Sequence, residues 1–181
     1  MQNGLKISGH VIISKCTSKK RWVVYEEKNL VVNTGRNSLV KAMVQEHTAY
    51  ADSALVYPRY CAFGRDTSVP YPLDPAAGDT NLESLLNDEP AESIKEFTDI
   101  SFAGDYTVKL TTLYDDAELV TDNLREAGIF AGAVSGGGVG VPYTLDTWVL
   151  IARTTGGGTM NISKGNTTSL NVDWILTLNA A

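Results

Sequence analysis

A chain of 181 residues, 43% hydrophobic and 20% charged, is long enough to bury one core and ordinary in composition for a globular domain. Fifteen Lys and Arg against 21 Asp and Glu leave a net charge of −6, which argues against a duplex-DNA binder. No apolar run is long enough to cross a membrane as a helix, and the opening stretch MQNGLKISGH lacks the apolar segment of a secretory signal.

The net charge hides a split. Residues 1–41 hold eight basic and two acidic residues, or +6, while the remainder holds seven and nineteen, or −12. Such a split suits docking of a basic face on one copy against an acidic face on another. Cys16 and Cys61 are far apart and lack the C-x-x-C spacing of zinc and thioredoxin-like sites. Free thiols are the expectation for them in a cytosolically made protein.

The first segment alternates. Leu5, Ile7, Val11 and Ile13 share one face, and Lys6, Ser8, His10 and Ser14 the other, which is the period of a half-buried strand. The polar run Cys16–Lys20 then reads as a hairpin loop, and Arg21–Glu26 (RWVVYE) as its return strand. Asn33-Thr34-Gly35 is a turn that caps a main helix over 34–47, where Leu39, Val40, Met43 and Val44 form an apolar stripe. A short strand is expected over Tyr57–Phe63.

From Gly64 the texture changes. Pro70, Pro72, Pro75 and Pro90, with many acids between them, indicate a long surface loop over 64–93. Inside it Asp79-Thr80 is placed to cap a short helix at 81–86. A loop of this length is functional or held by partners. Strands follow at Ile94–Phe102, Tyr106–Leu113, Arg125–Val134 and Thr147–Arg153. The last strand is the clearest, with Leu170, Val172, Trp174, Leu176 and Leu178 on one face. The fold expected is therefore mainly β in one domain, 1–181: an antiparallel β-sandwich or barrel-like arrangement, a jelly roll included. It would carry one main helix and the long Pro/Asp-rich loop, with core strands over 94–181.

No catalytic constellation stands out. His10 lies on the polar face of a strand and His47 at a helix C-terminus, where a cation suits the dipole. Neither accompanies a marked nucleophile and orienting acid. The acids Asp66, Asp74, Asp79, Asp88, Glu89 and Glu92 match no EF-hand spacing. Gly136–Gly140 and Gly156–Gly158 join β segments and read as hairpin tips, not phosphate loops. Lys19-Lys20-Arg21 beside Trp22 is a solvated hairpin end able to meet a partner. No metal, no cofactor, no membrane and no direct nucleic-acid partner are expected.

Several segments recur in a familiar order: Asn29-Leu-Val-Val-Asn-Thr-Gly35, Ala62-Phe-Gly-Arg-Asp-Thr-Ser-Val-Pro70, Asp79-Thr-Asn-Leu-Glu-Ser-Leu-Leu86, Leu124-Arg-Glu-Ala-Gly-Ile-Phe130 and Leu150-Ile-Ala-Arg-Thr-Thr155. This series, over about Asn29 to Leu178, resembles small virion proteins of tailed bacteriophages associated with tail, collar or fibre. It departs from their pattern at Arg65-Asp66 and at Gly156–Gly158. The resemblance implies a non-enzymatic virion component, made in the bacterial cytoplasm. It would assemble with itself, as a homo-oligomer, and with other virion proteins in the tail, collar, neck or baseplate region. A capsid decoration (cement) protein and a receptor- or glycan-binding module of a tail fibre are the alternatives. Interface candidates are Lys19, Lys20, Arg21, Arg65, Asp66, Asp74, Asp79, Arg125 and Glu126. For Arg125 and Glu126 an intramolecular lock is the stronger reading.

Overall fold

A computed structural model describes residues 5–33, 35–36, 58–65, 75–82, 94–104, 106–131, 149–155 and 158–180. Eleven strands lie in these segments. The long N-terminal pair is β1 (Leu5–Cys16) and β2 (Arg21–Val31), followed by β3 (Pro58–Gly64), β4 (Ile94–Glu96), β5 (Asp99–Gly104) and β6 (Thr107–Tyr114). Then come β7 (Thr121–Leu124), β8 (Glu126–Ala131), β9 (Val149–Thr154), β10 (Ile162–Lys164) and β11 (Ser169–Ala180). Nine strands form one antiparallel sheet in the order β4-β3-β8-β9-β2-β1-β11-β6-β5, and β10 pairs with β7 in a small second sheet.

The large sheet curls into a half-barrel, one sheet bent on itself and not the two facing sheets of a sandwich. Its two edge strands are consecutive in the chain, separated only by Phe97 and Thr98. Phe97 N donates to Arg59 O at 3.0 Å, next to the β3–β4 pairing, and Thr98 N donates to Thr111 O at 2.7 Å, next to the β5–β6 pairing. The stretch expected as one strand over Ile94–Phe102 is thus two strands serving opposite edges. A bend at that point lets one chain segment donate to backbone carbonyls of β3 and β6 in turn.

The inner face follows the period-two pattern. Val11 and Ile13 of β1, Leu110 of β6, and Leu170, Val172 and Trp174 of β11 are buried in one cluster with Cys61, Phe63, Ile129 and Ile151 from the opposite wall. Trp174 Nε1 donates to Cys61 Sγ at 3.3 Å and Tyr114 Oη donates to Cys61 O at 3.0 Å, so the polar tips of the buried aromatics are satisfied. Both cysteines are free, and burial pushes the Cys61 thiol up to about 11, so it stays protonated at neutral pH. Leu124 and Ile162 bring the small sheet into the same core.

A second apolar layer covers the outer face of β3, β8 and β9. Tyr60, Ala62, Phe130 and Leu150 meet Val32, Ile94 and Leu82 there. Leu82, in the stretch read as surface loop, is buried in this layer, while Ala76, Ala77, Gly78, Thr80 and Asn81 before it are exposed. Asn33 N donates to Ala77 O at 2.8 Å and ties that segment to the end of β2. The main helix expected over 34–47 lies outside the described residues, apart from its start. There, Arg36 N donates to Val32 O at 3.0 Å. Trp148 and Gly136–Gly140 also lie outside them.

Replacing Trp174 with Asp places a carboxylate in a fully buried site and removes a large apolar group. The expected cost exceeds about 4 kcal/mol. Loss of the cooperative thermal transition in circular dichroism is the expected readout, and a cooperatively folding W174D would refute the core assignment.

Candidate functional site

Three of the motif segments meet at one buried point. Arg153 on β9 stands directly opposite Gly128 on β8, and Glu126 lies two residues along, so register alone sets the guanidinium and the carboxylate on the same outer face. Arg153 Nε donates to Glu126 Oε2 at 3.0 Å, and Nη2 lies 2.8 Å from the same oxygen. Arg153 Nη1 donates to Asp79 Oδ2 at 2.8 Å. The side chains of Arg153 and Glu126 are 1% and 0% exposed, and that of Asp79 is 20% exposed. Asp79 Oδ2 also accepts from Ala76 N at 2.9 Å. Asp79 therefore fastens the 75–82 segment onto the sheet, where the sequence had placed it as a helix cap.

Two glycines make room for this arrangement. A Cβ on Gly64 would stand 2.3 Å from Glu126 Oε1, and one on Gly35 would stand 2.2 Å from Ile151 O. Both are needed for close approach of chain to chain. Neither has the positive φ that a sharp turn would require; that conformation occurs at Gly104 and Gly158 among the described glycines.

The other predicted interface residues are distributed as follows. Lys19 and Lys20 are exposed in the β1–β2 loop, with Lys20 Nζ 5.9 Å from the Trp22 ring centroid. Arg21 Nη2 donates to Asp173 Oδ2 at 3.0 Å. Arg65 is exposed beside β3, and Arg125 N donates to Gly64 O at 3.0 Å. Asp66 and Asp74 lie outside the described residues. The side chains of Arg21, Asp79 and Glu126 are held by charged partners within the chain.

Asp173 anchors a polar network on the outer face of β11. Thr111 Oγ1 donates to Oδ1 at 2.8 Å and Lys109 Nζ lies 3.3 Å from Oδ2. Burial alone would raise its pKa, but the Thr111 hydrogen bond and the Lys109 ammonium outweigh it and hold the carboxyl below the usual aspartate value. Among the described residues no group of three His, Cys, Asp or Glu is placed to hold a metal ion.

Sequence reasoning missed the edge of the sheet. Ile100 and Phe102 on β5 stand opposite Leu110 and Val108 on β6, so they share the face that elsewhere forms the core. Yet Ile100 is 59% and Phe102 89% exposed, while Leu110 is 3% exposed. Tyr106, at the start of β6, is 78% exposed and holds a left-handed φ of 60°, a strained conformation for a tyrosine. Among the described residues β5 pairs with β6 alone and stands last in the strand order. The signal available in sequence was a strand with apolar residues at alternate positions, but nothing in it says which strand stands last. Comparison of the chain with protein-family models, curated proteins and solved structures finds no match.

Two outcomes test these assignments. Glu126→Ala strands a buried guanidinium and is expected to cost about 3–5 kcal/mol in urea denaturation, whereas Glu126→Met with Arg153→Met recovers most of that loss. Equal losses in the single and double variants would contradict the triad. Asp173 has a folded pKa below its unfolded value, so its contribution is present above the unfolded pKa and is lost as pH falls through the folded one. The stability gap between the native chain and Asp173→Asn is expected to shrink steadily below about pH 4, measured by urea midpoints across pH.

Proposed function

We propose that this chain is a non-enzymatic structural component of a tailed-phage virion that self-associates in the tail, collar, neck or baseplate region. The ordered motif series supports the virion part of this reading. The observation that carries assembly is Phe102, 89% exposed on the core-facing side of the strand that stands last in the sheet among the described residues. Soluble proteins rarely leave such an edge bare, because it templates pairing with another chain.

The β5 sequence Asp99-Ile-Ser-Phe-Ala-Gly104 is self-complementary when paired antiparallel about Ser101. Ile100 of each copy then stands opposite Phe102 of the other, a favourable aromatic–β-branched pair formed twice by two-fold symmetry. Backbone hydrogen bonds supply strength, and the two side-chain pairs fix the register. The motif residues Asp79, Glu126 and Arg153 hold the fold within one subunit and leave contact with neighbours to the edge and the charged faces.

Sedimentation of the isolated protein is expected to show oligomers that Ile100→Lys/Phe102→Lys converts to monomers that still unfold cooperatively. Purified particles are expected to contain the chain, and its copy number by quantitative gel separates a tail position from a capsid-decorating one. A chain that is monomeric at all concentrations and absent from particles would overturn the reading.

A further inference from the structure

β2 changes partner along its length. It pairs with β1 as far as Asn29 and with β9 from Leu30, and Val32 N continues toward β9 by donating to Ile151 O at 3.1 Å. Among the described residues, Leu5–Ser8 of β1 therefore pair with β11 alone. The two strands part, and a half-open cavity of about 670 Å³ is lined by both sides of the fork. That volume falls in the range of small-molecule sites.

The chemistry of the fork is one-sided. Lys6, His10, Lys28 and Arg36 line it, and no acid is among its described lining residues. The pairing explains the convergence: Lys28 stands opposite His10 across β1–β2, and Lys6 lies four residues from His10 on the same face of β1. His10 Nε2 lies 3.2 Å from Glu26 Oε1, whereas Lys6, Lys28 and Arg36 have no carboxylate within ion-pair reach among the described residues. Like charges around one concavity repel and focus a positive field into it, which an entering anion relieves. A guanidinium among them gives the forked geometry that carboxylate and phosphate both match.

The rest of the lining fits a polyol. Asn179 Nδ2 donates to Ser8 Oγ at 2.8 Å, and Thr177 Oγ1 lies 3.2 Å from Thr107 Oγ1, so hydroxyl and amide groups stand beside the cations. Leu30 and Ile175 add aliphatic surface for a C–H face. Asn29, also in the lining and packed against Gly9, is 9% exposed and neither amide atom has a hydrogen-bond partner, an unfilled polar capacity of the kind that needs explaining.

We propose that this fork binds an acidic sugar, a saccharide carrying a carboxylate or a phosphate. The anion sits among Lys6, Lys28 and Arg36, and the hydroxyls meet the Ser8, Thr177 and Asn179 row. This inference stands apart from the assembly reading, since the fork lies on β1, β2 and β11 and not on the β5 edge.

Calorimetric titration of the full chain at low ionic strength tests it, with glucose 6-phosphate, an oligogalacturonate, glucose and inorganic phosphate as probes. Binding of either acidic sugar, with glucose silent, is the expected result. A preference for glucose 6-phosphate points to a soluble sugar phosphate, and one for oligogalacturonate to an acidic polysaccharide. Lys28→Glu/Arg36→Glu, both at exposed positions, is expected to weaken binding by at least about tenfold without lowering the melting temperature. No binding of either acidic sugar, inorganic phosphate binding as tightly as both, or full affinity in the double variant would each overturn the proposal.

Discussion

The buried guanidinium of Arg153 is the constraint on which much of this structure depends. A charge with 1% of its side chain exposed must be matched at close range or it destabilises the fold by several kcal/mol. Glu126 matches it from the neighbouring strand, and Asp79 matches it from a segment that would otherwise lie free on the surface. One residue thus registers β8 against β9 and draws residues 75–82 over their outer face. Leu82 then completes an apolar layer with Phe130 and Leu150. Charge and packing act together here, since the ion triad fixes position and the leucine supplies burial.

The same constraint gives a physical sense to the ordered motifs. Gly64 precedes the loop that the sequence marks, yet its role is to leave space for the Glu126 carboxylate. Gly35 ends the Asn29–Gly35 element because the backbone of Ile151 passes against it. The motifs are far apart in sequence but close in space.

The charge split of the sequence acquires a location as well. Three of the basic residues counted in the N-terminal stretch, Lys6, Lys28 and Arg36, line one cavity where β2 leaves β1 for β9. Others are absorbed differently: Arg21 joins Asp173, and Lys19 and Lys20 stay in solvent at the loop. Six of the eight basic residues are therefore divided between a fork, a polar network and an exposed tip. Two strands beyond β11 in the sheet, on β5, Phe102 and Ile100 are exposed apolar side chains. The fork lies in the middle of the strand order and the apolar strand at its end, and they make different kinds of contact.

Period-two alternation made the strands legible. The inner faces of β1 and β11 can be read directly from Val11, Ile13, Val172 and Trp174, because each strand residue's side is set by its neighbour two positions away. The hairpin at Thr17–Lys20 was legible for the same reason, since loop chemistry separates two β-patterned runs. Local sequence singled out Arg125-Glu126 and Asp79, and held Arg153 only as one letter of the Leu150–Thr155 motif. It could not pair them, because an ion triad spanning residues 79, 126 and 153 is a fact about strand order, and strand order has no local signal. Likewise Pro and Asp between 64 and 93 marked a loop, but only the guanidinium on another strand decided that part of it would be buried. The exposure of Phe102 is the same kind of fact: an alternating apolar residue is core on an inner strand and surface on the last one. Sequence by itself determined which residues share a face; the tertiary structure decided which faces are covered, because covering depends on what stands next to a strand and not on what lies within it.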